Sequence, residues 1–69
     1  MKEIKIDTEF IKLDQLLKYS GFAQTGGQSK IIIKEGLISV NDEIVTERGK
    51  KIRKGDIVKI KDVGEFVVV

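Results

Sequence analysis

The residues of this chain that could do chemistry are cationic, and they fall in two places. Lys30 and Lys34 stand four apart inside Thr25 to Asp42, TGGQSKIIIKEGLISVND. That spacing puts both ammonium groups on one face of a helix. Gly26 and Gly27 open the same stretch, and their missing side chains leave the first backbone N–H groups of a helix open to an anion. The second group is denser. Arg48, Lys50, Lys51, Arg53, Lys54, Lys59 and Lys61 crowd one segment against the single acid Asp56. The acids gather elsewhere, at Glu3, Asp7 and Glu9 and at Asp42 and Glu43. Over the whole chain 13 basic and 11 acidic residues leave a charge of only +2. The excess is therefore one of placement, and a concentrated basic patch suits a polyanion. The plain alternative is that the glycines only make a loop and the lysines only solvate a helix face.

Other chemistries are poorly served. The chain has no histidine and no cysteine, so it lacks the usual general base, the commonest zinc ligand, thiolates and disulfides. Asp7, Glu9 and Asp14 could pair, but nothing brackets them as an acid–base couple. The expectation is no catalysis, no cofactor and no metal. No run approaches the ~20 apolar residues of a membrane span, and MKEIKID is no signal peptide. A cytoplasmic protein without a membrane partner is expected. With 69 residues, one domain over 1–69, acting as a monomer, is the natural reading. Such a chain buries only about 60% of its unfolded surface, so its core is small.

The elements that must position the cations follow from periodicity. Lys2 to Asp7 alternates, with Ile4 and Ile6 on one side, and predicts a strand. Thr8 to Lys12 reads as a connection. Leu13, Leu16 and Leu17 form an i, i+3, i+4 stripe, predicting a helix over Leu13 to Ser20 that Gly21 stops. Tyr19 is expected half-buried at its edge, and Phe10, Phe22 and Phe66 in the core. Thr25 is the expected N-cap of a second helix ending at Glu35 and Gly36. Leu37 to Val40 and Glu43 to Val45 flank Asn41-Asp42, a hairpin turn that needs positive φ. Asn41 is expected to hold that turn. Thr46 to Lys51 reads as a polar loop, with Ile52 a lone apolar anchor beyond it. Ile57 to Lys61 and Glu65 to Val69 are expected to pair as the last two strands. The expected core is Leu13, Leu16, Leu17, Ile32, Ile33, Ile38, Val40, Ile44, Ile52, Val58 and Ile60. Helices segregated from an antiparallel sheet make an α+β domain, with the basic loop after Val45 beside the second helix.

Leu13-Asp14-x-x-Leu17, Ser20-Gly21, Ser29-Lys30-x-Ile32-Ile33-x-x-Gly36-x-Ile38-x-Val40-Asn41 and Lys54-Gly55-Asp56, in this order and spacing, resemble the S4 RNA-binding domain. That module occurs in a ribosomal protein, in pseudouridine synthases, in tyrosyl-tRNA synthetases and in small stand-alone proteins. The likeness covers the chain from Lys12 to Ile60. Thr25 to Lys30 and the short length look most like the stand-alone YaaA/YbcJ-type members. The resemblance implies an S4-like (alpha-L) fold: two packed helices on a small, mainly antiparallel sheet of about four or five short strands. It also implies RNA bound along the second helix and the adjoining loop. Lys12 stands where the family often has an arginine before Leu-Asp, Lys30 at a basic position of the second helix, and Arg48 to Lys54 in the variable basic loop. Gly26 and Gly27 depart from the pattern, since many members carry arginines there. Backbone N–H donation is a possible substitute.

The expected RNA-binding residues are therefore Lys12, Gly26, Gly27, Gln28, Lys30, Lys34, Arg48, Lys50, Lys51, Arg53 and Lys54. The function expected of them is recognition of structured RNA, ribosomal or transfer, in ribosome assembly or translation. Such recognition rests on phosphate and 2′-OH contacts and on shape. The competing reading is an assembly adaptor that docks on a ribosomal particle or an acidic protein, and DNA is a lesser alternative.

Overall fold

Residues 1–69 are described by a computed structural model. The chain runs β1 (Lys2–Ile4), β2 (Phe10–Lys12), α1 (Leu13–Tyr19), α2 (Gly26–Lys34), β3 (Ile38–Val40), β4 (Glu43–Ile44), β5 (Lys51–Arg53), β6 (Ile57–Ile60) and β7 (Gly64–Val68). Five strands form one sheet in the order β1-β7-β6-β3-β4, and β2 pairs with β5 in a separate ribbon. All pairings are antiparallel except β1 with β7, which is parallel. The architecture is the expected α+β one. Its parallel edge and separate ribbon are additions to the expectation.

Register explains the core. Ile38 faces Ile60, Val40 faces Val58, and Val58 faces Phe66. Successive strand residues point to opposite faces, so these side chains share one surface of the sheet. Leu13, Leu16 and Leu17 from α1 and Ile33 from α2 complete a core of 13 buried residues with them. Ile6 and Phe66 belong to it as the sequence suggests, Ile52 as its lone anchor, and Ala23 and Val68 join without having been singled out. Ile32 is only half-buried and packs on the margin of the core. Ile44 departs from expectation, being 69% exposed. Its partner across the hairpin is Ser39, which in turn faces Lys59, so the register turns Ile44 to the solvent side and leaves Val45 to pack inward. Tyr19 also departs. It is 64% exposed, held only by its hydroxyl donating to the Lys5 carbonyl at 3.1 Å.

Both helices stop where glycine permits it. Gly21 and Gly36 take φ of 87° and 75°, the left-handed conformation that ends a helix. Asn41 and Asp42 both have positive φ, 51° and 71°, the requirement of the tight two-residue hairpin. Asn41 does more than turn. Its amide donates to Asp56 Oδ1 at 3.0 Å, and its Oδ1 accepts from the Ile57 N–H at 2.9 Å. Asp56 Oδ2 accepts from the Arg53 N–H at 2.8 Å. The β3–β4 hairpin is thereby fastened to the turn between β5 and β6. No helix is long and apolar enough to cross a membrane.

Candidate nucleic-acid interface

The first turn of α1 has three N–H donors to satisfy, and only that of Gln15 finds a side chain, the Asp14 carboxylate at 2.8 Å. Lys12 occupies its N-cap without a side-chain bond, and a helix start leaves its first N–H groups unpaired. The basic loop supplies the acceptors for the other two. The Leu13 N–H donates to the Lys50 carbonyl at 2.8 Å, and the Asp14 N–H donates to the Arg48 carbonyl at 3.0 Å. These bonds hold the loop backbone at the head of α1, while the side chains of Arg48 and Lys50 stay exposed. The loop thus sits against α1, where the sequence placed it beside α2.

The second helix reaches this junction through its one buried polar residue. Ser29 is fully buried, and its hydroxyl is shared between the Thr25 carbonyl at 3.2 Å and the Asp14 carbonyl at 3.3 Å. Asp14 is therefore tied to Arg48 through its N–H and to Ser29 through its carbonyl. Lys30 follows Ser29 and is exposed. Lys34 lies one turn further along α2, outside the hydrogen-bonded junction.

The glycine opening of α2 is as expected. Thr25 caps the helix, its Oγ1 accepting from the Gln28 N–H at 3.1 Å. Gln28 uses its own side chain as well, Oε1 accepting from the Gln24 N–H at 2.7 Å, which leaves both its amide hydrogens for a ligand. A Cβ at Gly26 would meet nothing within 4 Å, and one at Gly27 only Thr25 Oγ1 at 3.9 Å. The fold itself does not demand glycine at either position.

The ribbon was not foreseen. β2 and β5 pair Phe10 with Arg53, Ile11 with Ile52 and Lys12 with Lys51. Ile52 is fully buried, so the residues flanking it form the outer face: Phe10, Lys12, Lys51 and Arg53. Phe10 is half-buried and outside the core cluster, contrary to expectation. The Lys51 ammonium lies 4.9 Å from its ring centroid. Glu9 to Leu13 does not alternate, because Phe10 and Ile11 are both apolar, so no local period marks this strand. On its other side β5 borders an open groove of about 350 Å³ lined by Asn41, Glu43, Lys50, Lys51, Arg53 and Asp56, among others. Lys54 lies beyond, in the turn after β5. Nowhere do three or more side chains able to ligate a metal come together.

The whole arrangement has known counterparts. Residues 4–69 match the family described as S4 domain. The chain is 46% identical over 66 residues to a Bacillus subtilis (strain 168) protein named probable ribosome maturation protein RlbA, covering 96% of this chain and 93% of that protein. It is 35% identical over 51 residues to the small ribosomal subunit protein uS4 of Wolbachia pipientis subsp. Culex pipiens (strain wPip), covering 74% of this chain and 25% of that one. A family match that spans both helices, the ribbon strand β5 and the strands after it, joined to identity along nearly the full length of a small relative, makes this chain a member of the S4-domain family.

Proposed function

We propose that this protein binds structured RNA, ribosomal or transfer, and acts without catalysis in ribosome maturation in the cytoplasm. The observation that carries the reading is the capping of α1 by the carbonyls of Arg48 and Lys50. Those bonds tie the basic loop to the head of α1, and in this reading its cations act as one surface with Lys12 and Lys30. Membership of the S4 family and likeness to a ribosome maturation protein support the choice of RNA and of process. Lys12, Lys30, Lys34, Arg48, Lys50, Lys51, Arg53 and Lys54 take phosphates in this reading. Gly26 and Gly27 offer backbone N–H groups, and the Gln28 amide donates to a ribose. The test is titration of nucleic-acid-free protein with a structured ribosomal RNA fragment at several salt concentrations. Affinity falls steeply with salt if phosphates carry binding. No salt-sensitive association at low ionic strength would overturn the reading and leave docking on an acidic protein surface.

Gly27→Glu separates binding from folding. The new side chain meets no protein atom closer than 3.9 Å at its Cβ, and a carboxylate in the first turn suits the helix dipole by about 0.3–1 kcal/mol. Thermal stability should therefore hold or rise while RNA affinity drops, because the carboxylate repels phosphate and blocks the N–H groups. Unchanged affinity would mean that the glycines serve only the turn.

A further inference from the structure

We infer that Phe10 is a stacking platform for one unpaired nucleobase, with Lys12 and Lys51 holding the phosphate of the same nucleotide. This rests on the RNA-binding reading and narrows its ligand. The RNA must carry a single-stranded nucleotide, in a bulge, loop or end, beside its folded part.

The position of the ring comes first. Phe66 is fully buried, and Phe22 stacks on it with centroids 5.7 Å apart. Phe10 belongs to neither this pair nor the core cluster. It stands on the outer face of the ribbon, directly across from Arg53. The ring is half-buried, and the Lys51 ammonium lies over it, 4.9 Å from the centroid, so a strongly hydrated head group meets one ring face. A nucleobase can take that place and release the ammonium toward its own phosphate. The backbone beneath is held on both sides. The Thr8 hydroxyl donates to the Phe10 carbonyl at 2.8 Å, and β5 pairs along the strand.

Charge placement makes the second argument. Lys12 and Lys51 are directly opposed across the ribbon. Like charges in that relation destabilise a strand pair, and an anion set between them reverses the sign. Lys12 stands two positions beyond Phe10, about 6–7 Å along a strand, which is the reach of a nucleotide from base to phosphate. Paired bases in an A-form helix offer no free face, whereas splayed-out bases stack on aromatic side chains. A lone aromatic among Lys12, Lys51 and Arg53 fits the second kind of ligand.

The experiment uses the full chain and two RNA hairpins, identical except that one carries a single unpaired adenosine. Wild type should bind the bulged hairpin more tightly. Phe10→Leu keeps bulk and removes the π face, and should lose roughly 5- to 150-fold in affinity for the bulged hairpin, the measured range for one stacked base. Its affinity for the plain hairpin should not move. Phe10→Trp introduces the only tryptophan of the chain, and its emission should be quenched by the bulged hairpin and not by the plain one. Should Phe10→Leu fail to fold, the tryptophan signal decides alone. An unquenched indole, or a folded Phe10→Leu that binds the bulged hairpin as wild type does, overturns the platform and leaves RNA binding intact. Failure of wild type to bind either hairpin overturns both.

Discussion

Phe66→Ala is expected to cost about 3–5 kcal/mol and to lower the thermal midpoint by at least about 12 °C. Phe66 is fully buried. It lies on β7, which runs between β1 and β6, and its backbone register meets Lys2 on one side and Val58 on the other. Its ring stacks nearly parallel on Phe22, with 9° between the planes. Trimming it opens a cavity where the sheet meets the segment linking the helices. A domain of this size has about 3–10 kcal/mol of stability in total, so the loss removes a large share of it. A circular-dichroism melt checks the result. A midpoint within a few degrees of wild type would contradict the packing described for β7. Leu16→Ala, at the fully buried centre of α1, should cost about 2–5 kcal/mol.

The helix pair was legible because α1 repeats its leucines at helical spacing, α2 follows a capping Thr25, and both end at a glycine. Leu13, Leu16 and Leu17 are fully buried, and Gly21 and Gly36 take the positive φ their positions required. The β3–β4 hairpin was legible for a similar reason, since Asn41-Asp42 is a turn with its own chemistry. The β2–β5 ribbon was not. Phe-Ile-Lys and Lys-Ile-Arg each offer one inward residue, too few to display a period of two. Their partnership of Phe10 with Arg53 joins distant parts of the chain that no local pattern connects. The exposure of Ile44 was hidden for a related reason. Alternation told that it and Glu43 point to opposite faces, but only the hairpin register sets which face Ile44 takes, and the short edge strand leaves both exposed. At the candidate site the cations could be read from composition. The bonds that gather them could not, because the carbonyls of Arg48 and Lys50 have no side-chain signature. A hint did exist, since a helix preceded by Lys12 has no capping side chain and must find acceptors elsewhere.

Replacing Lys12, Lys30, Arg48 and Lys51 together by alanine is expected to flatten the plot of log K against log salt by about three units, at ~0.7–0.9 per phosphate contact. Lys30→Ala or Arg48→Ala alone should flatten it by about one unit and weaken binding to different RNAs about equally, as loss of a phosphate contact does. The fold should tolerate these changes. All four side chains are exposed, and surface replacements usually stay within about 0.5 kcal/mol. Removing Lys12 or Lys51 also relieves their cross-strand repulsion. Stability that holds or rises while affinity falls is the sign of residues kept for a ligand. Lys59 and Lys61 serve as the internal control. Lys59 faces Ser39 and Glu65 on the solvent side of the main sheet, so a carboxylate already stands opposite it. With Lys61 it lines a different groove, beside Gly36 and Ile44. Lys59→Ala and Lys61→Ala should therefore cost less affinity than Lys30→Ala and Arg48→Ala. The reverse order would move the RNA site to the sheet, and the junction of α1, α2 and the basic loop would then be a structural brace.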